Sequence, residues 1–129
     1  MATRSTIWIR NEDGSRRGIY CHWDGYPSNN GKILKEHFNT PEKINQLIDG
    51  GSLSSLEAKI NPTEGSGHNF DKPEPGVCIY YARDRGEDLS IYTNHRKELR
   101  EEYNYIFDVL KGVWYCNGHK LTDRMIERN

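Results

Sequence analysis

The sequence has few cysteines, no long apolar run and no excess of charge of one sign. The 129-residue chain carries three cysteines, an odd number that favours free thiols in a reducing compartment over a disulfide framework. No apolar stretch reaches the length of a transmembrane helix, and the polar N-terminal segment lacks the apolar core of a signal peptide. These absences predict a cytoplasmic protein without a membrane partner.

Basic and acidic residues nearly balance, with 18 Lys and Arg against 19 Asp and Glu and a formal net charge of -1. A chain without basic excess lacks the broad positive field that holds nucleic-acid phosphates, so we expect no nucleic-acid partner. Only 34% of the residues are hydrophobic, but eight Tyr, three Trp and three Phe supply large faces for a core. The length suits one core, which predicts a single domain over residues 1–129.

Motifs of common enzyme classes are also missing. The chain contains no Gly-rich phosphate loop, no G-x-S-x-G nucleophile elbow and no H-E-x-x-H zinc motif. Cys21 and His22 resemble a metal-ligand pair, but adjacent residues of a strand point to opposite faces. We therefore expect no metal and no cofactor, and we assign no catalytic residue.

Strand-like and helix-like patterns are grouped rather than alternating along the chain. Period-two alternation predicts strands over residues 5–10 and 17–23, and β-branched and aromatic content predicts a strand over residues 77–83. A second hairpin is predicted over residues 102–116, with its two strands on either side of Leu110-Lys111-Gly112. Apolar spacing and cap residues predict short helices over residues 32–38, from Thr40 to Gly50, in one or two turns near 95–103, and after Thr122. Residues 61–76 predict a long loop.

This order of elements predicts an α+β fold. We expect a mostly antiparallel sheet built from an N-terminal and a C-terminal hairpin, with a short helical pair on one face. Trp8 alternates with two isoleucines that we expect in the core, and Trp114 lies between Val113 and Tyr115, which we also expect to face the core. Two indoles on outer faces would leave an apolar patch, which predicts a homo-oligomer unless the helices cover them.

The segment GIYCHWDGYPSNNGKIL, residues 18–34, concentrates aromatic and hydrogen-bonding residues where a strand ends and a helix begins. Trp23 and Tyr26 offer flat faces for stacking, and nearby glycines permit close backbone approach. Arg83 and Arg85 would share one face of an extended chain and offer bidentate contacts to an anion. The candidate ligand-binding residues are His22, Trp23, Asp24, Tyr26, Asn29, Asn30, Lys32, Arg83 and Arg85.

A flat ring platform, a hydrogen-bonding edge and a cation together fit a nucleotide-like ligand. The alternative is that Trp23 and Tyr26 only close one end of the core, while the Asn residues serve the turn. A hydrolase would take its general acid and base from His22, Asp24 and His37, or from Asp84, Glu87 and Asp88. The segment DRGED (residues 84–88) is otherwise typical of a solvated hairpin tip.

The motifs ATRSTI, GIYCHWDGYPSNNGKIL and GVCIYYARDRGE resemble a family of small proteins encoded by bacteriophages and prophages. The resemblance covers nearly the whole chain, and HWDGYP is its most specific part. It implies a phage accessory protein in the cytoplasm of the infected bacterial host. By analogy, the expected function is counter-defence, through binding and sequestering a nucleotide-like small-molecule signal without cleaving it. The alternatives are direct inhibition of a host or defence enzyme, and hydrolysis of a nucleotide.

Overall fold

In a computed structural model, which describes residues 2–93 and 101–128, strands form a single mixed sheet. The strands are β1 (Ser5–Arg10), β2 (Arg16–Cys21), β3 (Leu53–Ser55), β4 (Ile79–Tyr80), β5 (Tyr92–Thr93), β6 (Tyr103–Asp108), β7 (Val113–Cys116) and β8 (His119–Lys120). The α-helices are α1 (Lys32–His37), α2 (Pro41–Asp49), α3 (Tyr81–Arg85) and α4 (Asp123–Arg128), and a π-helical turn (Pro27–Gly31) precedes α1. Within these ranges, no helix combines the length and apolar character that crossing a membrane requires.

The sheet confirms the predicted α+β class. Its strand order is β4-β3-β2-β1-β6-β7-β8, and β5 pairs with the first half of β2. The β1–β2 hairpin and the β6–β7–β8 meander are antiparallel, whereas β1 pairs with β6 in parallel at the centre. The N-terminal and C-terminal hairpins therefore join side by side into one sheet.

Helix α2 forms where the cap signals predict it. The Thr40 hydroxyl accepts a hydrogen bond from the Lys43 amide at 3.2 Å, and Pro41 occupies the first turn. Ile44, Leu47 and Ile48 recur at helical spacing and are fully buried. The terminal helix α4 is also confirmed, and its Met125 amide donates to the predicted Thr122 cap.

The predicted strand over residues 77–83 is wrong beyond Tyr80, because the chain turns there into α3. The Asp84 carboxylate accepts a hydrogen bond from the Tyr80 amide at 2.8 Å and so pins the first turn of the helix. Gly86, at φ 75°, ends it in the left-handed conformation that glycine favours. Arg83 and Arg85 therefore do not share a face of an extended chain. The turns expected near 95–103 lie mostly outside the described residues.

Both indoles that motivated the homo-oligomer are covered by the chain itself. Trp8 is 2% exposed, with the Tyr92 ring stacked 5.9 Å away and the Arg16 guanidinium 5.8 Å from its ring. The outer face predicted for Trp114 is wrong: it lies in the core, 3% exposed, and its Nε1 donates to the Phe38 carbonyl at 2.8 Å. The homo-oligomer remains a prediction, but without the apolar patch that motivated it.

Candidate functional site

The chain makes a sharp corner where β2 ends. The amides of His22 and Trp23 still donate to Leu53 and Ser54 of β3, at 3.0 Å each. Asp24 then adopts a positive φ of 55°, which turns the backbone away from the sheet. The indole of Trp23 is left 45% exposed at this corner. We call the surface formed by Tyr20, His22, Trp23 and Asp24 the Trp23 corner.

Two residues fix the backbone behind the Trp23 corner. Asn30 is fully buried, and its Nδ2 donates to the Ser5 hydroxyl at 3.1 Å. The Gly25 amide donates to the Thr3 carbonyl at 2.8 Å, and the Gly25 carbonyl accepts from the Tyr105 hydroxyl at 2.6 Å. Asn30 therefore holds the corner in place from inside the protein, and Gly25 anchors it to two separate elements.

The predicted loop residues Tyr26 and Asn29 pack back onto Asp24. The Asn29 Nδ2 donates to the Asp24 carbonyl at 3.2 Å, and the Tyr26 hydroxyl lies 3.4 Å from an Asp24 carboxylate oxygen. Asn29 is part of the π-helical turn that follows Tyr26, a rare conformation that is frequent at functional sites. The sequence predicts a loop here, because Pro, Ser, Asn and Gly are turn residues.

The outer face of β2 adds residues that were not in the predicted set. The Tyr20 hydroxyl and the His22 Nδ1 are 2.7 Å apart, and the His22 ring meets the Trp23 indole at 86° with centroids 4.7 Å apart. Burial raises the pKa of Tyr20, the nearby guanidinium of Arg4 opposes this rise, and Glu101 adds to it. Tyr20 lies two residues before His22 and so shares its strand face, which was a usable signal that Tyr20 is a neighbour of His22. No local pattern pointed to Arg4.

Lys32 belongs to another part of the surface. It lines a cavity of about 610 Å³ between α1 and α4, whose lining includes neither Trp23 nor Tyr26. The lining residues are Ser28, Lys32, Lys35, Glu36, Asp123, Ile126 and Glu127. An ion pair between Lys35 and Asp123, with N and O atoms 2.8 Å apart, bridges the two helices.

Arg83 is occupied by internal contacts. Its guanidinium donates to the Ile60 and Cys78 carbonyls at 2.8 Å each, and its Nε donates to Asp84 at 2.8 Å. The nearly buried His68 side chain contacts the same carboxylate through Nε2 at 3.1 Å, while its Nδ1 accepts from the Glu74 amide at 2.9 Å. These contacts, which we call the Asp84 clamp, fasten loop 61–76 to α3.

The Asp84 clamp predicts a specific pH dependence. Burial works to raise the pKa of Asp84, but hydrogen bonds from Arg83, the Tyr80 amide and His68 outweigh it and hold the pKa below 3.8. The charged carboxylate therefore stabilises the fold above pH 3.8, and this contribution is lost as the pH falls through the lower folded pKa.

We expect Asp84→Asn to lower the free energy of unfolding by about 1–3 kcal/mol at pH 7, because charged donors lose their partner. The loss of stability below pH 4 should also be shallower in this variant. Urea denaturation from pH 7 to pH 2 measures both effects. Glu64→Gln, which removes an exposed carboxylate from the same loop, is the control. Equal acid sensitivity of wild type and Asp84→Asn would contradict the assignment.

Arg85 lies with a different set of rings. Its guanidinium is 5.0 Å from the Phe70 ring centroid and 6.0 Å from that of Tyr81, and its Nε pairs with Glu87 at 2.9 Å. Tyr81 also contributes to the raised pKa of Tyr20. The structure thus brings together five of the predicted ligand-binding residues, His22, Trp23, Asp24, Tyr26 and Asn29. Asn30 is buried behind them. Lys32, Arg83 and Arg85 lie in three other parts of the structure.

The thiols are poor candidates for a nucleophile. All three are buried and unpaired by disulfides. Burial is the main cause that raises the pKa of Cys21 and Cys116 to about 11 and that of Cys78 to about 12. In the ranges that the structure describes, no group of three or more His, Cys, Asp or Glu side chains is arranged to hold a metal ion.

A scan against protein-family models, a search of curated proteins and a search of solved structures each found no significant match to this chain. The resemblance of the HWDGYP segment to phage and prophage proteins therefore stays a hypothesis based on the sequence. The function must follow from the chemistry of the site.

Proposed function

We propose that the protein binds a nucleotide-like small molecule at the Trp23 corner and sequesters it without cleaving it. In this proposal it is a phage accessory protein that counters host defence in the cytoplasm of the infected bacterium. The half-exposed indole of Trp23 carries the proposal. Trp8 and Trp114 are at most 3% exposed, whereas Trp23 is 45% exposed at a corner with a fixed backbone.

A fixed and exposed indole is an efficient platform for a planar base. Stacking of a base on an aromatic side chain contributes about 1–3 kcal/mol. The His22 ring packs against the indole at 86°, and Tyr20 holds His22 through a hydrogen bond at 2.7 Å. Because the side chains are held before binding, less conformational entropy is lost when the ligand arrives.

Polar groups around the indole supply the remaining recognition. The exposed carboxylate of Asp24 is an acceptor for base N–H groups, while Arg4, near Tyr20, is a cation for a phosphate. Glu101 also acts on Tyr20 and partly offsets the charge of Arg4. Stacking therefore supplies the larger share of the affinity, and we expect binding to be only modestly weakened by salt.

One observation favours hydrolysis as a second candidate. Burial is the main cause that raises the pKa of Glu57; a hydrogen bond with Ser55 opposes this rise, and the charge of Asp24, a residue of the Trp23 corner, adds to it. Paired carboxylates with different environments are typical of general acid–base catalysis. The three thiols are buried and the His22 Nδ1 is already hydrogen-bonded, so neither provides an activated nucleophile beside the two carboxylates. We therefore place binding first.

Ligand capture from infected cells tests the proposal. We expect the wild-type protein, incubated with an extract of phage-infected bacteria, washed and denatured, to release an intact nucleotide-like molecule detectable by mass spectrometry. Trp23→Ala should release about 5- to 100-fold less, since it removes the stacking face without opening the core. Trp23→Phe keeps a ring and is the matched control.

The alternatives give different results in the same experiment. Release of cleaved products, with turnover of added extract, would make the protein a hydrolase. Retention of a host protein with no small molecule would make it a direct inhibitor. Equal release by wild type and Trp23→Ala would move the site away from the Trp23 corner.

A further inference from the structure

A second aromatic group, which shares no residue with the Trp23 corner, forms where loop 61–76 packs against α3. The Phe70 and Tyr81 rings are 5.8 Å apart with their planes 32° from each other, and the Arg85 guanidinium lies over both. An open cavity of about 830 Å³ adjoins Phe70 and Arg85. It is lined by Asn69, Phe70, Asp71, Asp84, Arg85 and Gly86. We call this group the Arg85 cup.

The loop side of the Arg85 cup is held rigidly. The Phe70 amide donates to the Asp84 carbonyl at 3.2 Å. The Asn69 side-chain oxygen accepts from the amides of Asp71 and Lys72 at 3.0 Å each. The Asp84 clamp fastens the same loop from the other side. A ligand that enters the cup therefore meets a surface that is already ordered.

Two groups of the cup remain available to a ligand. The Arg85 side chain is 55% exposed although it packs on two rings, so part of its planar guanidinium faces solvent. The exposed Asp71 carboxylate lines the cavity and makes no hydrogen bond to any residue in the described ranges. A guanidinium plane stacks on aromatic faces, and a carboxylate accepts from two neighbouring N–H donors.

The geometry points to the Arg85 cup as a second binding site, specific for a neutral nucleobase of the guanine type. The base stacks on the solvent side of Arg85, and its ring N–H and exocyclic amino group donate to Asp71. This inference goes beyond the proposed function, because it requires neither Trp23 nor a phosphate group.

The surrounding charges exclude other simple ligands. A small cation would compete with Arg85 for the Phe70 and Tyr81 faces. A lone anion would be repelled by Asp71 and by Glu87, whose carboxylate pairs with Arg85. A planar ring with N–H donors satisfies both the guanidinium and the free carboxylate.

Guanosine is the probe that tests this site, because it has the base and lacks the phosphate. We expect titration of the ¹⁵N-labelled full chain to shift the amide signals of residues 69–71 and 85–86. Arg85→Lys keeps the charge but loses the plane, so it should weaken guanosine binding about 3- to 30-fold. Asp71→Asn should weaken it about 10-fold or more, and should weaken inosine, which lacks the exocyclic amino group, by less.

Control variants separate this site from the Trp23 corner. Glu64→Gln removes another exposed carboxylate of the loop that does not line the cavity, and should leave the affinity unchanged. Trp23→Ala should leave the shifts at residues 69–71 and 85–86 in place, even if ligand capture at the corner is lost or never existed. Absence of those shifts, or unchanged affinity in both Arg85→Lys and Asp71→Asn, overturns the inference and leaves the proposed function standing on its own test.

Discussion

Replacing Trp114 with alanine should lower the free energy of unfolding by about 3–5 kcal/mol. The indole is 3% exposed and meets the Phe107 ring at 67° with centroids 5.4 Å apart, so its removal leaves a cavity beside Phe107 on the core face of the sheet. It also deprives the Phe38 carbonyl of its hydrogen bond from Nε1. Chemical denaturation at pH 7 measures the loss as a shift of the midpoint.

Tyr115→Ala is the matched control, since the next residue of β7 points to the other face. Tyr115 is only partly buried, and its ring is approached by the exposed Lys111, whose Nζ is 5.7 Å away. We expect this variant to lose no more than about 1 kcal/mol, as partly exposed substitutions usually do. A larger loss of stability for Tyr115→Ala than for Trp114→Ala would mean that Tyr115 faces the core and Trp114 does not, as the alternation predicts.

The sequence predicts the local elements well, because their signals are local. The Thr40 cap of α2 and the Gly112 turn before β7 each depend on a few neighbouring residues. The α+β class follows from the grouping of these elements. Period-two alternation in β7 is visible too, but alternation alone does not say which set of side chains faces the core. The contacts of Trp114 with Phe107 and Phe38 decide that.

Elements that depend on distant contacts could not be predicted. Residues 81–83 continue the aromatic run of the predicted strand, but residues 81–85 form α3, because Asp84 accepts from the Tyr80 amide and is itself held by Arg83 and His68. Arg83 therefore fastens a loop instead of facing solvent. The one distant partner of this carboxylate, His68, comes from loop 61–76, where composition indicates only turns.

The Trp23 corner was partly predictable for the same reason. His22, Trp23, Asp24, Tyr26 and Asn29 are close in sequence, so a local cluster of aromatic and polar residues marked them. Arg4 acts electrostatically on Tyr20, and Asp24 acts on Glu57, across long stretches of the chain, so no local pattern identifies Arg4 or Glu57. Asn30 was found for its hydrogen-bonding capacity, but that capacity is used to hold the corner to Ser5.

Gly25→Ala should destabilise the Trp23 corner and abolish its ligand binding. A Cβ at residue 25 would lie 2.7 Å from the Ser5 Cβ and 2.8 Å from the Thr3 carbonyl oxygen. Both contacts involve the N-terminal segment and β1, so the corner itself must shift. That shift weakens the Gly25–Thr3 hydrogen bond and removes the acceptor of the buried Tyr105 hydroxyl. Overpacking costs about 1–3 kcal/mol, and an unpaired buried hydroxyl costs about 1–3 kcal/mol more.

Gly31→Ala, six residues further along the same segment, is the matched control. Its Cβ would approach only side-chain atoms of Leu121, Pro27 and Tyr105, at 3.3–3.4 Å, and its φ of -60° is helical. Alanine favours that conformation over glycine by up to about 1 kcal/mol, so we expect a near-neutral effect on stability and normal ligand capture. Thermal unfolding and the capture experiment, run side by side, measure both properties. If Gly25→Ala unfolds and captures ligand as Gly31→Ala does, the fixed corner is not what presents the Trp23 indole, and ligand recognition depends on other residues.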